Sequence, residues 1–486
     1  MHIELPPFNI LILGYFSPAL ETDNPPCIKA DPSSLDQALA KLQPTLDIPL
    51  DRNKFPAASI NISISRLADF RPKNISRTSA FKAILDQMAK DNPPSEQSTG
   101  SNQRYSALLD DIMSMVDSEQ SEQHPPSTTS QHDRPKSELL KAIFADPAFR
   151  IMEAAWRGLE LLGRQVPSGS KTSVEFMLVP ITENNLLPVL DKLDEELEAS
   201  PPDLILLDHG LSNTPRSMEI LERIMNFAES MLAPAMVAFG PKFLELQNWA
   251  EADKLPFIPA LLEGPEYGRW KTLRQQPSAG WIMGCAGSIM GRTMHGPEAG
   301  FDHTSLSERG PLWVNSVWSA AALCARSLFK YGRITLFADH SSVRLEGLPL
   351  AEGPKPSPVN PPLGTERIKD FRQAGINTLA FNGDQAFLLG AISMDGSPMN
   401  LRLYLSRLIH FLILLSSEKR KEFSEIESQL TEAVSLFLQK QGYPEPQNLS
   451  IKKGEPSGET IPLEISLSPG TEILPGNAPI SFGFNW

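Results

Sequence analysis

Cysteine is scarce in this chain of 486 residues, where it occurs only at positions 27, 285 and 324. Three widely spaced cysteines provide neither a disulfide framework nor a thiolate zinc site, and such sparing use of cysteine is typical of a reducing compartment. The first residues, Met-His-Ile-Glu-Leu-Pro-Pro, lack the basic and apolar regions of a signal peptide. These absences predict a cytoplasmic protein.

Long apolar runs and a surplus of basic residues are also missing. The longest apolar run of the C-terminal half, 411–415, is far too short to cross a bilayer and lies between Arg407 and Glu418. The formal net charge is −14, whereas nucleic acids and anionic membranes select basic surfaces. We therefore expect no nucleic-acid binding and no membrane insertion.

Sequence motifs of enzymes are absent as well. The chain contains no Gly-x-x-x-x-Gly-Lys phosphate loop and no Gly-x-Gly-x-x-Gly fingerprint after a strand, and Gly284, Gly287 and Gly291 are interpreted as helix-packing or loop glycines. There is no His-Glu-x-x-His or Gly-x-Ser-x-Gly motif, and no pair of histidines has metal-ligand spacing. We expect no cofactor and no metal site.

Two short segments nevertheless contain residue types that catalysis uses. Asp339-His340-Ser341-Ser342 resembles the composition of a triad, but sequential neighbours rarely converge in triad geometry, so we interpret it as a strand-end loop. Asp208-His209 follows a predicted strand, where α/β enzymes often bind ligands. An enzyme that uses Asp208 and His209 is the alternative from another functional class, although the sequence as a whole favours a protein without catalytic activity.

Apolar patterns predict an α/β fold that starts with a small unit over residues 1–90. Residues 8–16 form a nearly continuous apolar run, as expected of a strand buried on both faces. Residues 60–65 alternate between isoleucine and polar residues, which indicates a half-buried strand. Helices are predicted over about 33–42 and around 81–88, between and after these strands.

A flexible linker is predicted over residues 91–135, because its composition of Pro, Ser, Gln, Asn and His cannot bury enough apolar surface to offset the cost of ordering. Within it, residues 107–117 form an apolar stripe beside acidic residues, which predicts a short amphipathic helix. Such a helix is either a docking peptide with Leu109, Ile112 and Val116 as anchors, or it folds back onto its own domain.

A larger unit over residues 136–486 is predicted to be an α/β domain with a largely parallel sheet, C-terminal helices and terminal β-strands. Its first part alternates strands and helices, namely strands 172–180, 203–208 and 235–239 with helices 183–199, 214–232 and 241–252. The remaining elements are a buried helix over 313–331, a hairpin over 376–394 that turns at Asn382-Gly383, helices 398–417 and 420–440, and strands 461–467 and 480–486.

The most informative segment is a core helix that starts after residue 146. Asp146 can cap the helix, and Pro147 gives up only an amide hydrogen that has no partner at a helix start. Trp156 and other apolar residues recur on one face at helical spacing, and Gly163 is available as a C-terminal stop. The run Trp156-Arg-Gly-Leu159 also resembles a signature of the large contractile-sheath subunit of bacterial type VI secretion systems.

The resemblance to sheath proteins extends over nearly the whole chain. Residues 8–90 are similar to the small sheath subunit, with Asp69-Phe70-Arg71-Pro72 as the most specific piece, and residues 105–118 are similar to the N-terminal helix of the large subunit. Residues 138–486 resemble the body of the large subunit, with the final strand in the position of the family's C-terminal β-strand. Four further segments match: Leu204–Phe239, Glu266–Arg274, Gly310–Asn315 and Phe371–Phe387. The chain departs from the family because both subunits are fused, the large part is shorter, and Cys285–Arg292 replaces a characteristic segment.

The resemblance implies a structural protein that polymerises by strand exchange into a tube around an inner tube and contracts without a nucleotide site. The strand over 479–486, with Ile480, Phe482, Phe484 and Trp486 on one side, would exchange; the alternative is pairing only with 461–467 of the same chain. Implied partners are other copies, the inner-tube and baseplate proteins, and a recycling AAA+ unfoldase. A cap, terminator or baseplate adaptor that does not polymerise is the alternative function.

Overall fold

The structure is a computed structural model of the chain. It describes residues 7–18, 20, 22–91, 134–166, 174–295, 306, 308, 310–353, 356–418, 426–455 and 460–486. Nearly all of the predicted linker and the whole predicted helix over 107–117 lie outside these residues, and with them Leu109, Ile112 and Val116. The docking role of these three residues therefore stays a prediction.

Strands and helices alternate along the described chain. The strands are β1 (Phe8–Gly14), β2 (Ile28–Ala30), β3 (Thr45–Pro49), β4 (Ser59–Ser63), β5 (Val174–Pro180), β6 (Leu204–Leu211), β7 (Ala235–Phe239), β8 (Ile282–Ala286), β9 (Ser288–Arg292), β10 (Leu312–Asn315), β11 (Val359–Asn360), β12 (Ile376–Asn377), β13 (Ala380–Asn382), β14 (Gln385–Phe387), β15 (Gln447–Lys453), β16 (Pro462–Ser468) and β17 (Ile480–Asn485). The helices are α1 (Leu35–Leu42), α2 (Pro72–Ile75), α3 (Ser79–Asp91), α4 (Arg134–Ala145), α5 (Pro147–Gly163), α6 (Leu186–Leu197), α7 (Pro215–Ser230), α8 (Ile258–Leu261), α9 (Gly268–Arg274), α10 (Ser316–Tyr331), α11 (Thr365–Gln373), α12 (Met399–Glu418) and α13 (Ile426–Lys440).

A seven-stranded sheet with the order β12-β8-β7-β6-β1-β5-β2 forms the centre of the described fold. Its strands are parallel, except that β2 pairs antiparallel to β5 at one edge. Helices cover both faces, as parallel sheets require: α5 and α10 lie on one face, and α6, α7 and α9 lie on the other. The predicted α/β fold with a largely parallel sheet is therefore confirmed.

β1 comes from the N-terminal segment but lies in the middle of this sheet, between β5 and β6. Its side chains enter two cores, because Ile10 and Ile12 pack on one face whereas Leu11 and Leu13 pack on the other. Burial on both faces explains the nearly continuous apolar run in the sequence.

The N-terminal segment also contributes to one face of the sheet. Helices α1 and α3 and the hairpin β3–β4 pack in the same core as α5 and α10. The predicted boundaries at residues 90 and 136 therefore separate two stretches of sequence that share a sheet and a hydrophobic core.

Some local predictions were wrong. Residues 241–252 do not form one helix but two short 3₁₀ segments, because Glu245 adopts a left-handed conformation with φ of 61° and the Asn248 side chain starts the second segment by accepting from the Ala250 N–H at 3.0 Å. Gly284 and Gly291 lie in strands β8 and β9, and Gly287 joins these strands with φ of +89°. Gly287 is thus a loop glycine, as the sequence allows, whereas Gly284 and Gly291 lie in strands.

The C-terminal residues form a unit with its own core. Helices α12 and α13 pack beneath an antiparallel sheet with the order β15-β16-β17. The predicted helices and the two predicted terminal strands are present, whereas β15 was not predicted.

Helix α12 includes the one window of the described chain, Met399–Ser416, that is long and apolar enough to cross a membrane by length and composition. Half of this window is buried inside the fold, and Arg407 within it forms an ion pair with Asp203. Both properties are those of a core helix in a globular protein.

Candidate assembly site

Strand β17 occupies one edge of the C-terminal sheet. It pairs antiparallel with β16, and Trp486 and Ile461 exchange backbone hydrogen bonds of 2.9 Å in both directions. Because hydrogen-bonded pairs alternate along an antiparallel ladder, the N–H groups of Ser481, Gly483 and Asn485 point away from β16. No described strand pairs with this outer edge. The pairing with 461–467 that the sequence allows is therefore present, and the other edge of β17 is available.

The inner face of β17 is incompletely covered. Side chains of the neighbouring strand β16 are fully buried, for example Ile465 and Leu467 at 0 % exposure. In contrast, the four apolar side chains of the C-terminal strand are only partly buried, although they pack against the same core: Ile480, Phe482, Phe484 and Trp486. The helical layer thus covers the middle of the sheet better than it covers β17.

A buried ion pair joins the C-terminal unit to the central sheet. Arg407 of α12 donates from Nη1 to Asp203 Oδ1 at 2.7 Å, and the Asn9 N–H donates to Asp203 Oδ2 at 2.8 Å. His410 places Nε2 3.0 Å from the Met231 carbonyl and Nδ1 3.6 Å from Asp203 Oδ1. Since a carbonyl only accepts, Nε2 carries a proton in this arrangement.

The electrostatics of this joint favour the ionised carboxylate. Burial by itself would raise the pKa of Asp203, but the Arg407 guanidinium, His410 and the Asn9 N–H outweigh it, so that the pKa lies below its ordinary value. Asp203 and Arg407 are both about 5 % exposed. The joint is therefore a charged contact, whereas each of the two units that it connects has an apolar core.

Helix α5, which carries the Trp-Arg-Gly-Leu run, is built as the sequence predicts at its start. The Asp146 side chain accepts from the Phe149 N–H at 2.8 Å, and Pro147 is the first helical residue. Trp156 is fully buried and donates from Nε1 to the Phe16 carbonyl at 3.1 Å. The helix ends at Gly163 without a left-handed cap; this glycine instead allows a close approach to the Pro32 carbonyl.

The glycine of the run has a packing role that the sequence did not reveal. A Cβ at Gly158 would collide with the Trp318 ring of α10, so the two helices approach each other over this glycine. Leu159 on the same helix is fully buried. The run thus combines a buried indole, a close helix contact and a core leucine.

A second buried charge cluster lies beside α5. Arg292 of β9 makes a two-pronged contact with Glu153, with both N···O distances 2.7 Å, and it also binds Glu308 at 2.9 and 3.0 Å. Burial alone would lower the pKa of Arg292, but the two carboxylates outweigh it and raise the pKa above its ordinary value. Arg292 belongs to the segment Cys285–Arg292 that departs from the sheath pattern, and here it fixes β9 to α5.

Comparison with known proteins finds similarity to sheath proteins. Residues 191–353 match the VipB family model, described as EvpB/VC_A0108, tail sheath N-terminal domain. A curated relative, the type VI secretion system sheath protein TssC1 of Pseudomonas aeruginosa, is 23 % identical over 281 residues, which are 51 % of this chain. The chain spans about half, 56 %, of that relative's length.

Within residues 191–353 the chain is similar to the sheath domain of the large-subunit kind. A solved structure, the sheath tail protein of Desulfitobacterium hafniense, is also similar: it is 10 % identical with a TM-score of 0.35, and the match covers 66 % of this chain and 62 % of that one. The matched stretch 191–353 begins in α6 and includes β6 to β10 and α10 of the sheath domain.

The enzymatic alternative within the sheath domain finds little support in the geometry. The Asp208 carboxylate accepts from Asn315 Nδ2 at 2.7 Å, and burial raises its pKa. Burial also lowers the pKa of His209. Through Asn315, Asp208 links β6 to the start of α10, which is a structural role. The relatives are sheath proteins.

The Asp339 segment is a self-contained turn. Asp339 accepts from the hydroxyls of Ser341 at 2.7 Å and Ser342 at 2.6 Å, while His340 stacks on Phe387. The segment follows a 3₁₀ helix and not a strand, so the predicted position at the end of a strand was wrong. Among the described residues, no group of His, Cys, Asp and Glu has the arrangement of a metal site.

Proposed function

We propose that this protein assembles into a cytoplasmic contractile sheath by adding strands from neighbouring copies to the free edge of β17. The observation that supports this proposal most directly is the unpaired outer edge of β17 above a partly covered apolar face. An added strand would satisfy the outward N–H groups, and its side chains would extend the apolar layer. The N-terminal segment, which supplies β1, takes the place of a separate small subunit.

Electron microscopy of the purified full-length protein tests this proposal, with tubes as the expected result. The variant Gly483→Pro removes one outward N–H of β17 without removing a hydrogen bond to β16. Its matched control is Gly483→Ala, because a Cβ at this position meets nothing within 4 Å. We expect tubes from the parent and from Gly483→Ala but not from Gly483→Pro. Tubes from all three proteins would exclude the β17 edge, and an unassembled parent would favour a cap or baseplate adaptor.

The amphipathic segment over 107–117 is proposed as the recognition element for a recycling AAA+ unfoldase. Leu109, Ile112 and Val116 would supply apolar anchors at one helix face. Replacing Leu109 and Ile112 by Asp removes apolar burial of about 2 kcal/mol each, so binding of an unfoldase should be lost. Equal binding by parent and double mutant, measured by titration calorimetry, would leave the segment as a tether. The inner-tube and baseplate proteins are proposed as further partners on the same resemblance.

A further inference from the structure

One exposed aromatic side chain stands on a braced loop. Phe257 is 51 % exposed and directly precedes α8. Arg367 of α11 holds the backbone before it, since Nη1 donates to the Pro256 carbonyl and Nη2 to the Leu255 carbonyl, both at 2.8 Å. A braced aromatic residue loses little conformational entropy on binding, which is a property of anchor residues in interfaces. We call this loop, Leu255–Phe257, the knob.

A cavity of about 170 Å³ lies at the joint between the central sheet and the C-terminal unit. Its walls include Phe411 of α12, Phe437 of α13 and Pro201, and its rim includes the exposed Ala199. A cavity of roughly 150 Å³ is sufficient for a benzene ring. Asp203 and Arg407 in its lining pair with each other, whereas Asn9 Oδ1, Arg407 Nε and His410 Nδ1 are buried without a hydrogen-bond partner. The size of the cavity and its Phe and Pro walls suit an aromatic ring, and we call the cavity the socket.

Knob and socket lie at opposite ends of the parallel strands. The socket includes Asn9 and Asp203, which stand at the amino ends of β1 and β6. The knob lies in the stretch between the carboxyl end of β7 and Glu266. The Glu266 carbonyl accepts a hydrogen bond from the Asn213 side chain, just past the carboxyl end of β6, so both ends of this stretch lie at the carboxyl ends of the strands. Arg367, which braces the knob, lies in the first turn of α11, the helix that precedes β12.

We propose that the Phe257 ring of one copy inserts into the socket of the next copy, so that molecules associate head to tail along the strand direction. This inference rests on the proposed self-assembly and names a second contact within it. A contact between two different surfaces of the same molecule does not close on itself in a dimer, and it generates an open polymer unless the rotation closes a ring. Of the two exposed charged residues beside the knob, Asp253 and Lys254, Lys254 has the opposite charge to the exposed Glu198 beside the rim and would attract it across such a contact.

Cross-linking between two differently labelled populations tests the contact. Cys27 is replaced by Ser in the full-length chain, since it is exposed while Cys285 and Cys324 are buried. One population then carries Ala260→Cys, in α8 and three residues after Phe257. The other carries Ala199→Cys at the socket rim, and both positions are exposed. A short bismaleimide should join the two populations when they are mixed, and it should join neither population to itself. Absence of the mixed product, or cross-links within one population, would overturn the proposal.

The variant Phe257→Asp, added to the Ala260→Cys chain, should abolish the mixed product and raise the protein concentration needed for assembly by at least about tenfold. Ile151→Asp is the matched control, because Ile151 is 54 % exposed but lies on α5; it should leave both measurements unchanged. Unchanged cross-linking by Phe257→Asp would refute the knob. Tubes without the mixed product would refute this contact alone, whereas the mixed product without tubes would refute the sheath proposal and retain the contact.

Discussion

Two aspartates, one just before β6 and one within it, have opposite electrostatic effects on the fold. Asp203 stands before the strand and is ionised against Arg407, so its pKa is lowered. Asp208 lies within the strand and accepts a hydrogen bond from the Asn315 amide, and burial raises its pKa. The same residue type therefore stabilises the native state at one position and opposes it at the other, when both carboxyls are charged.

The Asp203→Asn variant should lose about 3–5 kcal/mol of unfolding free energy at pH 7, because it leaves the Arg407 guanidinium buried without its counter-charge. The lowered pKa means that the unfolded chain binds this proton more tightly than the native state. The stabilisation is thus present above about pH 4 and is lost as the pH falls through the native pKa. Urea unfolding of parent and variant between pH 3 and pH 7 measures this; a difference that does not shrink at acid pH would contradict the assignment.

The Asp208→Asn variant is expected to behave in the opposite way. A raised pKa means that the native state binds the proton more tightly, so the carboxylate costs stability above its native pKa, and this cost disappears as the pH falls. An asparagine oxygen can still accept from Asn315 without carrying the charge. We expect equal or greater stability than the parent at pH 7, and no difference below about pH 4. A marked loss of stability at pH 7 would show that the charge itself is needed.

At the level of elements, the contact between α5 and α10 depends on one glycine. Gly158→Ala should destabilise the protein by about 1–3 kcal/mol or more, because the added methyl group meets the Trp318 ring and forces the helices apart. Helix propensity alone predicts the reverse sign, by about 1 kcal/mol.

The matched control for this variant is Gly268→Ala, in α9, where a Cβ meets nothing within 4 Å. It should leave the melting temperature unchanged or raise it. Differential scanning calorimetry of both variants separates the effect of helix packing from that of helix propensity. Equal effects at the two glycines would contradict the view that the run Trp156–Leu159 contains a glycine because two helices meet there.

Many of the long elements of the fold could be predicted from the sequence, where apolar period and length decide the structure. The run over 8–16 identifies β1 because every residue must tolerate burial, and Asp146 and Pro147 locate the start of α5. β9 was missed because its glycines resemble loop residues, and β2 because three residues carry too little pattern.

The candidate sites were harder to predict because they combine residues that are distant in sequence. Arg407 and Asp203 are 204 positions apart, and no local pattern indicates that they meet. The knob was missed for a similar reason: an exposed Phe257 becomes notable only when Arg367 is known to brace it. The terminal strand was predicted from its alternation, yet the free edge depends on the strand order of the sheet.

At the level of the whole molecule, the N-terminal segment is an internal part of the central sheet. Without it, β5 and β6 would face a gap where β1 lies, and the core beneath α5 would lose its partners from α1 and α3. Residues 134–486 expressed alone should therefore be insoluble or bind a hydrophobic dye. Co-expressed with residues 1–91, they should form a stable one-to-one complex that co-purifies through a tag on either fragment.

Soluble, cooperatively melting protein from residues 134–486 alone would contradict this view of β1. A mixture of separately refolded fragments that never associates would contradict it as well, because the pairing of β1 depends on hydrogen bonds and burial and not on the covalent connection.

The central position of β1 also sets an order of events during synthesis. β1 leaves the ribosome before its two neighbours, which start at Val174 and Leu204 and follow only after the whole intervening stretch has been translated. Until then an apolar strand has both backbone edges unpaired, which is a state that chaperones bind and that aggregates at high concentration. The resulting high contact order implies slow refolding from denaturant. The yield of folded protein should therefore depend more on a synthesis rate that is matched to chaperone capacity than on the stability of the finished protein.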